Sequence, residues 1–191
     1  MTVSLLGVDA SLTGTGYAVI HYRDGHWTGS AWTRGRKGHR NESLEDRDER
    51  LSYITSDLHC VDLGGLTAAG IEQPLTNTPG GSSWDRAGLW WRLVHRLLVC
   101  DVPVVEVNSA KRQKFAVGKS SARGRKVEKH AVLEAVRVMW PMVKVEDDNA
   151  ADALVVASVI AVLYELPVPF GMTDFRHEVV SGLRLPGKEA A

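Results

Sequence analysis

The chain has 191 residues, 44% apolar and 24% charged, and a formal net charge of zero. This is ordinary globular composition, long enough for one domain to bury its own core. Its two cysteines, Cys60 and Cys100, stand in no paired or metal-type spacing and exclude a disulfide framework or a zinc ribbon. The longest apolar run, Ala153 to Tyr164, is too short to span a bilayer. No basic region precedes a long apolar core at the N-terminus, so no secretory signal is read and a cytoplasmic protein without a membrane partner is expected.

In chain order, Val3 to Asp9 reads as a short apolar strand and Tyr17 to Tyr22 as a second, joined across a Gly/Thr turn. Asp24-Gly25 is a hairpin signal that makes His26 to Trp32 the returning third strand. A polar loop through Arg34 to Gly38 precedes an amphipathic helix over Leu44 to Leu58, with Leu51 and Ile54 on its apolar side. Ala68 to Glu72 is a fourth strand, broken by Pro74, and the loop from Thr76 to Ser82 leads into a helix over Trp84 to Val99. Val102 to Val107 is a fifth strand, Lys126 to Met139 a helix, and the last helix runs from Asp148 to a point before Pro167. Residues 1–166 then form a single domain, and 167–191 read as a loosely held C-terminal tail. Three hairpin-linked strands followed by alternating helices and strands predict an α/β fold. Its mixed five-stranded sheet has three antiparallel and two parallel strands and is flanked by helices.

Acidic residues far apart in the chain share a context suited to metal. Asp9 ends the first apolar strand ahead of the turn-rich Ser11 to Gly16, and Glu72 ends the fourth. Asp148 and Asp152 open the apolar last helix. A carboxylate at the end of a buried strand or on the first turn of a buried helix is costly to leave ionised and unpaired. Divalent cations neutralise several at once, and hard oxygen donors suit Mg²⁺ or Mn²⁺ rather than zinc. On a helix, 148 and 152 lie about 40° apart and 149 and 152 about 60° apart, whereas 147 and 152 are about 140° apart. Taken singly, Asp9 reads as a turn residue, Glu72 as the partner of a surface Arg, and Asp147 or Asp148 as the helix N-cap. Asp152, on the first turn of an otherwise apolar helix, is the hardest to read in that way.

Zero net charge hides an uneven distribution. From Ser109 to His130 there are eight Lys/Arg (Lys111, Arg112, Lys114, Lys119, Arg123, Arg125, Lys126, Lys129) against one acid, Glu128. Such a stretch is either a solvated loop or a nucleic-acid footprint. Gly118-Lys119-Ser120 looks like the end of a phosphate-binding loop, but Gln113 stands where that motif needs its first Gly, and no nucleotide cofactor is expected.

Gly7-Val8-Asp9-Ala10-Ser11-Leu12-Thr13-Gly14-Thr15-Gly16-Tyr17, Ile71-Glu72-Gln73 and Ala150-Ala151-Asp152-Ala153-Leu154 resemble the signature blocks of RuvC-type Holliday junction resolvases. The stretch from Lys114 to Val127 is similar to that family's basic segment, and the resemblance runs over approximately residues 3–165. Small size and six tryptophans suit a divergent, phage-borne member, placed in a bacterial or phage-infected host cytoplasm.

The resemblance implies an RNase H-like fold and a homodimer that nicks four-way DNA junctions symmetrically with two Mg²⁺ per active site, Mn²⁺ substituting. It assigns Asp9, Glu72 and Asp152 as metal ligands. Where the family places Asp or His three residues before the last Asp, this chain has Asn149, so Asp148 is taken as the fourth ligand with Asn149 as a weak oxygen donor. Lys114 is the first choice for the catalytic basic residue, with Lys111, Arg112 and Lys119 as alternatives near the scissile phosphate. Arg123, Arg125 and Lys126 would grip the DNA backbone further out. Leu75 would press against bases or close the core, and Leu89, Trp90 and Leu93 would meet the partner subunit.

Other readings are a nuclease of flaps and forks, a non-catalytic junction-binding protein, and a fragment of an actin-like phosphotransferase. The last requires a second phosphate loop that this sequence does not show.

Overall fold

The computed structural model describes residues 2–74, 83–118 and 129–186. Strand β1 (Val3–Asp9) pairs antiparallel with β2 (Thr15–Arg23), which returns into β3 (His26–Arg34). The hairpin turns at Asp24 and Gly25, whose φ angles of 51° and 85° are the left-handed pair a two-residue turn needs. On its other edge β1 pairs in parallel with β4 (Ala68–Glu72), and β4 with β5 (Val104–Val107). The order β3-β2-β1-β4-β5 is the mixed five-stranded sheet expected from the sequence.

Strand alternation splits the core in two. Leu5 faces α3 (Ser109–Val117), α4 (Lys129–Met139) and α5 (Asp148–Leu163). Leu6 and Val8 face α1 (Leu44–Thr55) and α2 (Ser83–Leu98). α5 is apolar on all sides and buried from Ala153 to Ala161, as a helix between a sheet and a helical layer must be.

It can approach β1 closely because small residues meet there. A Cβ added to Gly7 would stand 2.1 Å from the Ala153 carbonyl oxygen, and one added to Gly16 1.9 Å from that of Asn149. This contact fixes the height of the first turns of α5 over the ends of β1 and β2.

Three departures from the sequence reading have physical causes. Residues 109–117 lie within the basic stretch yet form a helix. Asn108 caps it by accepting from Ala110 N (2.8 Å), and Gly118 ends it at φ 74°. The tail expected over 167–191 is not loose throughout. Residues Asp174–Ser181 form α6, which buries Arg176 and Val179. Arg176 donates from Nε to the Phe115 carbonyl (3.1 Å) and stacks over the Phe115 and Phe170 rings. Lastly, α1 ends at Thr55 and passes into a 3₁₀ turn, Ser56–His59, that still buries Leu58.

Candidate functional site

The parallel register of β1 and β4 ends at Val8↔Ile71, so Asp9 and Glu72 follow as neighbours at the same end of the sheet. Trp90 of α2 donates from its indole Nε1 to the Glu72 carbonyl (2.9 Å) and holds the end of β4. Beyond β1 the chain turns through Ser11 to Thr15, where Thr15 Oγ1 donates to the Ser11 carbonyl at 2.7 Å. Asp147 caps α5 as one of the two candidate caps, accepting from Ala150 N (2.9 Å) and from Thr33 Oγ1 (2.7 Å). That cap starts α5 where Asp152, one turn in, can reach the sheet end.

What joins the carboxylates is Arg112. Its Nε lies 2.6 Å from Glu72 Oε2, and its Nη1 contacts Asp152 Oδ1. Its side chain is only 7% exposed, and those of Glu72 and Asp152 are 11% and 19% exposed. Asp9 and Ser109 hydrogen-bond to the Glu72 carboxyl. Burial, reinforced by the charge of Asp9, pushes Glu72 up to about 8 against the opposing pull of Arg112. Arg112 meets Glu72 and Asp152 as a buried ion-paired bridge, in which its Nε and Nη1 and Glu72 Oε2 make no hydrogen bond of acceptable angle.

Among the expected ligands, Asp9, Glu72 and Asp152 are thus brought together. Asp148 is half-buried on the first turn of α5. Asn149 is turned toward the β1–β2 loop, its Nδ2 2.6 Å from where a Gly14 Cβ would be. Among the described residues, no group of three or more His, Cys, Asp or Glu has the spacing to hold a metal ion. The donors fit a hard cation in kind, and Glu72 Oε2 is buried without a hydrogen bond. It is the guanidinium that occupies the cationic position between Glu72 and Asp152.

Of the expected basic residues, Arg112 alone among those described reaches the carboxylates. Lys114, the first choice, pairs instead with Glu178 of α6, and Lys111 donates to the Gly182 carbonyl (2.9 Å). Residues 111 and 114 lie about 100° and 200° round the helix from 112, so α3 turns these two lysines toward α6 and the arginine toward the site. Lys119, Arg123, Arg125, Lys126 and Leu75 lie outside the described residues. The expected partner-facing set is corrected. Leu89, Trp90 and Leu93 are at most 6% exposed, buried in this chain's own core beside α1. Trp84, Trp91 and Leu98 are the exposed large apolar side chains of α2, at 84%, 61% and 53%. Their spacing of seven sets them on one stripe.

Sequence reasoning missed Arg112 as the residue that bridges the carboxylates, and Ser109 beside Glu72. The signal was available: Asn108 and Gly118 bracket a helix, and a helix places 112 apart from 111 and 114.

No family model matches the chain, and no curated protein matches it. Solved structures do. A Thermus thermophilus RuvC structure aligns at TM-score 0.57 with 18% identity, over 81% of this chain and 91% of that one. T. thermophilus RuvC in complex with a Holliday junction substrate aligns at TM-score 0.56 with 14% identity, over 81% and 90%. At such identities the likeness is one of architecture, and the chain has a RuvC-like, RNase H-like fold.

Proposed function

We propose that the protein is a metal-dependent endonuclease that resolves four-way DNA junctions by hydrolysing phosphodiesters at the Asp9–Glu72–Asp152 cluster. The observation that carries this reading is the convergence of three carboxylates from β1, β4 and α5 at one sheet end, in a fold like that of RuvC. One of the similar structures is RuvC bound to a Holliday junction substrate, which supports branched DNA as the substrate class.

Asp9, Glu72 and Asp152, with Asp148 on the same helical face as Asp152, would hold Mg²⁺ or Mn²⁺, two ions per site, after closing in from the spacing they keep around Arg112. When bound, such ions supply Lewis acidity at the phosphate and an activated water. The chain's own residues position the reaction. The Asp147 cap and the close packing of α5 on Gly7 set Asp152 against β1 and β4. Arg112, paired with Glu72 and Asp152 at the same point, would meet a phosphate there once released from them. The basic residues from Lys119 to Lys126 grip the DNA backbone, which gives affinity without sequence and a steep fall with salt.

Paired nicks need two such sites, so the active form is a homodimer. We place its contact on the exposed α2 stripe of Trp84, Trp91 and Leu98.

The test is a cleavage assay on a mobile four-way junction beside linear duplex, flap and fork DNA, with Mg²⁺, Mn²⁺ or EDTA. The reading expects metal-dependent paired nicks confined to the junction. Equal cleavage of flaps and forks would replace junction resolution with a general branched-DNA nuclease. Binding without cleavage under every metal condition would remove the nuclease reading.

A further inference from the structure

We infer that Arg112 is an internal counter-cation of the carboxylate cluster, which a divalent ion must displace before it can bind there. This rests on reading the cluster as a metal site.

Asp9, Glu72 and Asp152 lie within one partly buried group, and unpaired carboxylates in such surroundings are strongly disfavoured. Arg112 sits on α3, inside the fold rather than on a surface loop, and spans Glu72 and Asp152 from two different nitrogens. A guanidinium is planar, always charged and weakly hydrated, so it suits this buried place better than an ammonium would. Both of its contacts are ion pairs with carboxylates, so a cation of higher charge can take its place. Two like charges cannot share the position. The incoming divalent ion and the guanidinium therefore exclude one another, and the released side chain remains beside the point where a phosphate would meet the cluster.

Two consequences follow. Metal affinity in the absence of DNA is lowered by the work of removing Arg112. In the presence of DNA the freed guanidinium gains a phosphate partner, so metal and DNA strengthen each other's binding by the same factor.

The experiment is Mn²⁺ titration by calorimetry in the absence of DNA, paired with thermal unfolding in EDTA and in Mn²⁺. Wild type is compared with Arg112→Gln and Arg112→Lys. Arg112→Gln removes the charge while keeping a polar side chain, and should bind Mn²⁺ at least about tenfold more tightly, a modest share of what a buried countercharge controls. Its melting temperature should be lower than wild type in EDTA and recover in Mn²⁺.

Arg112→Lys keeps a charge that cannot span both carboxylates and should fall between the two. It also serves if Arg112→Gln fails to fold. Mn²⁺ affinity that is unchanged or weaker in the variants overturns this inference while leaving the metal site standing. No Mn²⁺ binding in wild type or either variant overturns both.

Discussion

Substituting Gly7 with alanine should damage both stability and catalysis through one contact. The new Cβ would sit 2.1 Å from the Ala153 carbonyl oxygen and 2.5 Å from the Ala157 nitrogen. Both obstacles are helix backbone, so no side chain can rotate aside. A carbon and an oxygen need at least about 1 Å more than that, and α5 must lift from β1 by roughly this amount. Overpacking of this kind costs about 3 kcal/mol, the upper end of the usual range. Asp152 lies one turn into the same helix and would move away from Asp9 and Glu72. A displacement of about 1 Å in a catalytic group costs on the order of a hundredfold in rate.

Urea unfolding and single-turnover junction cleavage measure the two effects. Gly64→Ala is the control, since an added Cβ there would meet only Asp62 Oδ1, at 3.8 Å. If Gly7→Ala unfolds within about 1 kcal/mol of wild type and cleaves normally, the close packing of α5 on β1 is not what sets the site.

Three further outcomes are expected. Trp84→Asp combined with Trp91→Asp should turn a dimer into a folded monomer in analytical ultracentrifugation, because both side chains are exposed on one stripe of α2; an unchanged dimer would move the interface elsewhere. Arg47 and Arg50 hold the Asp85 carboxyl below the usual carboxylate range, and Asp85 is only 9% exposed. A carboxyl with a depressed folded-state pKa adds stability above its unfolded pKa of about 3.9 and loses it as pH falls through the folded value. Asp85→Asn should therefore cost about 3 kcal/mol at pH 7, and the gap to wild type in urea unfolding should narrow below about pH 4; a gap that stays constant with pH would contradict the pairing. Ser158→Ala should cost about 1–3 kcal/mol in the same assay, since it leaves the buried Trp140 Nε1 without its acceptor at 2.7 Å.

Much of the architecture could be read from local signals. Short apolar runs marked β1 and β2, Asp24-Gly25 marked the hairpin, and the long apolar run from Ala153 to Tyr164 marked a buried last helix. What it was pressed against was legible only afterwards. Gly7 and Gly16 are ordinary turn or strand glycines until α5 is placed over them. Asp9, Glu72 and Asp152 were legible because each interrupts the edge of an apolar run. Arg112 was not singled out, because a run of cations reads as one surface, and only helical geometry separates the arginine facing the carboxylates from the lysines facing α6. Leu89, Trp90 and Leu93 were placed on the wrong side of α2 for a related reason. Helix α2 has apolar residues on both an inner and an outer stripe, and its sequence does not say which one the sheet takes. Helix α6 escaped because its stabilising contacts, Arg176 on Phe115 and Phe170, are tertiary.

The most direct test of the central claim is cleavage of a four-way junction by Asp9→Asn and Asp152→Asn, with junction binding measured in parallel. The account predicts that both lose metal-dependent cleavage and keep junction affinity, because neither belongs to the basic stretch from Lys111 to Lys129. Asp148→Ala and Asn149→Ala beside them identify the fourth ligand, and loss in the first alone is expected. Wild-type cleavage rates in Asp9→Asn or Asp152→Asn would contradict the assignment of catalysis to this carboxylate cluster.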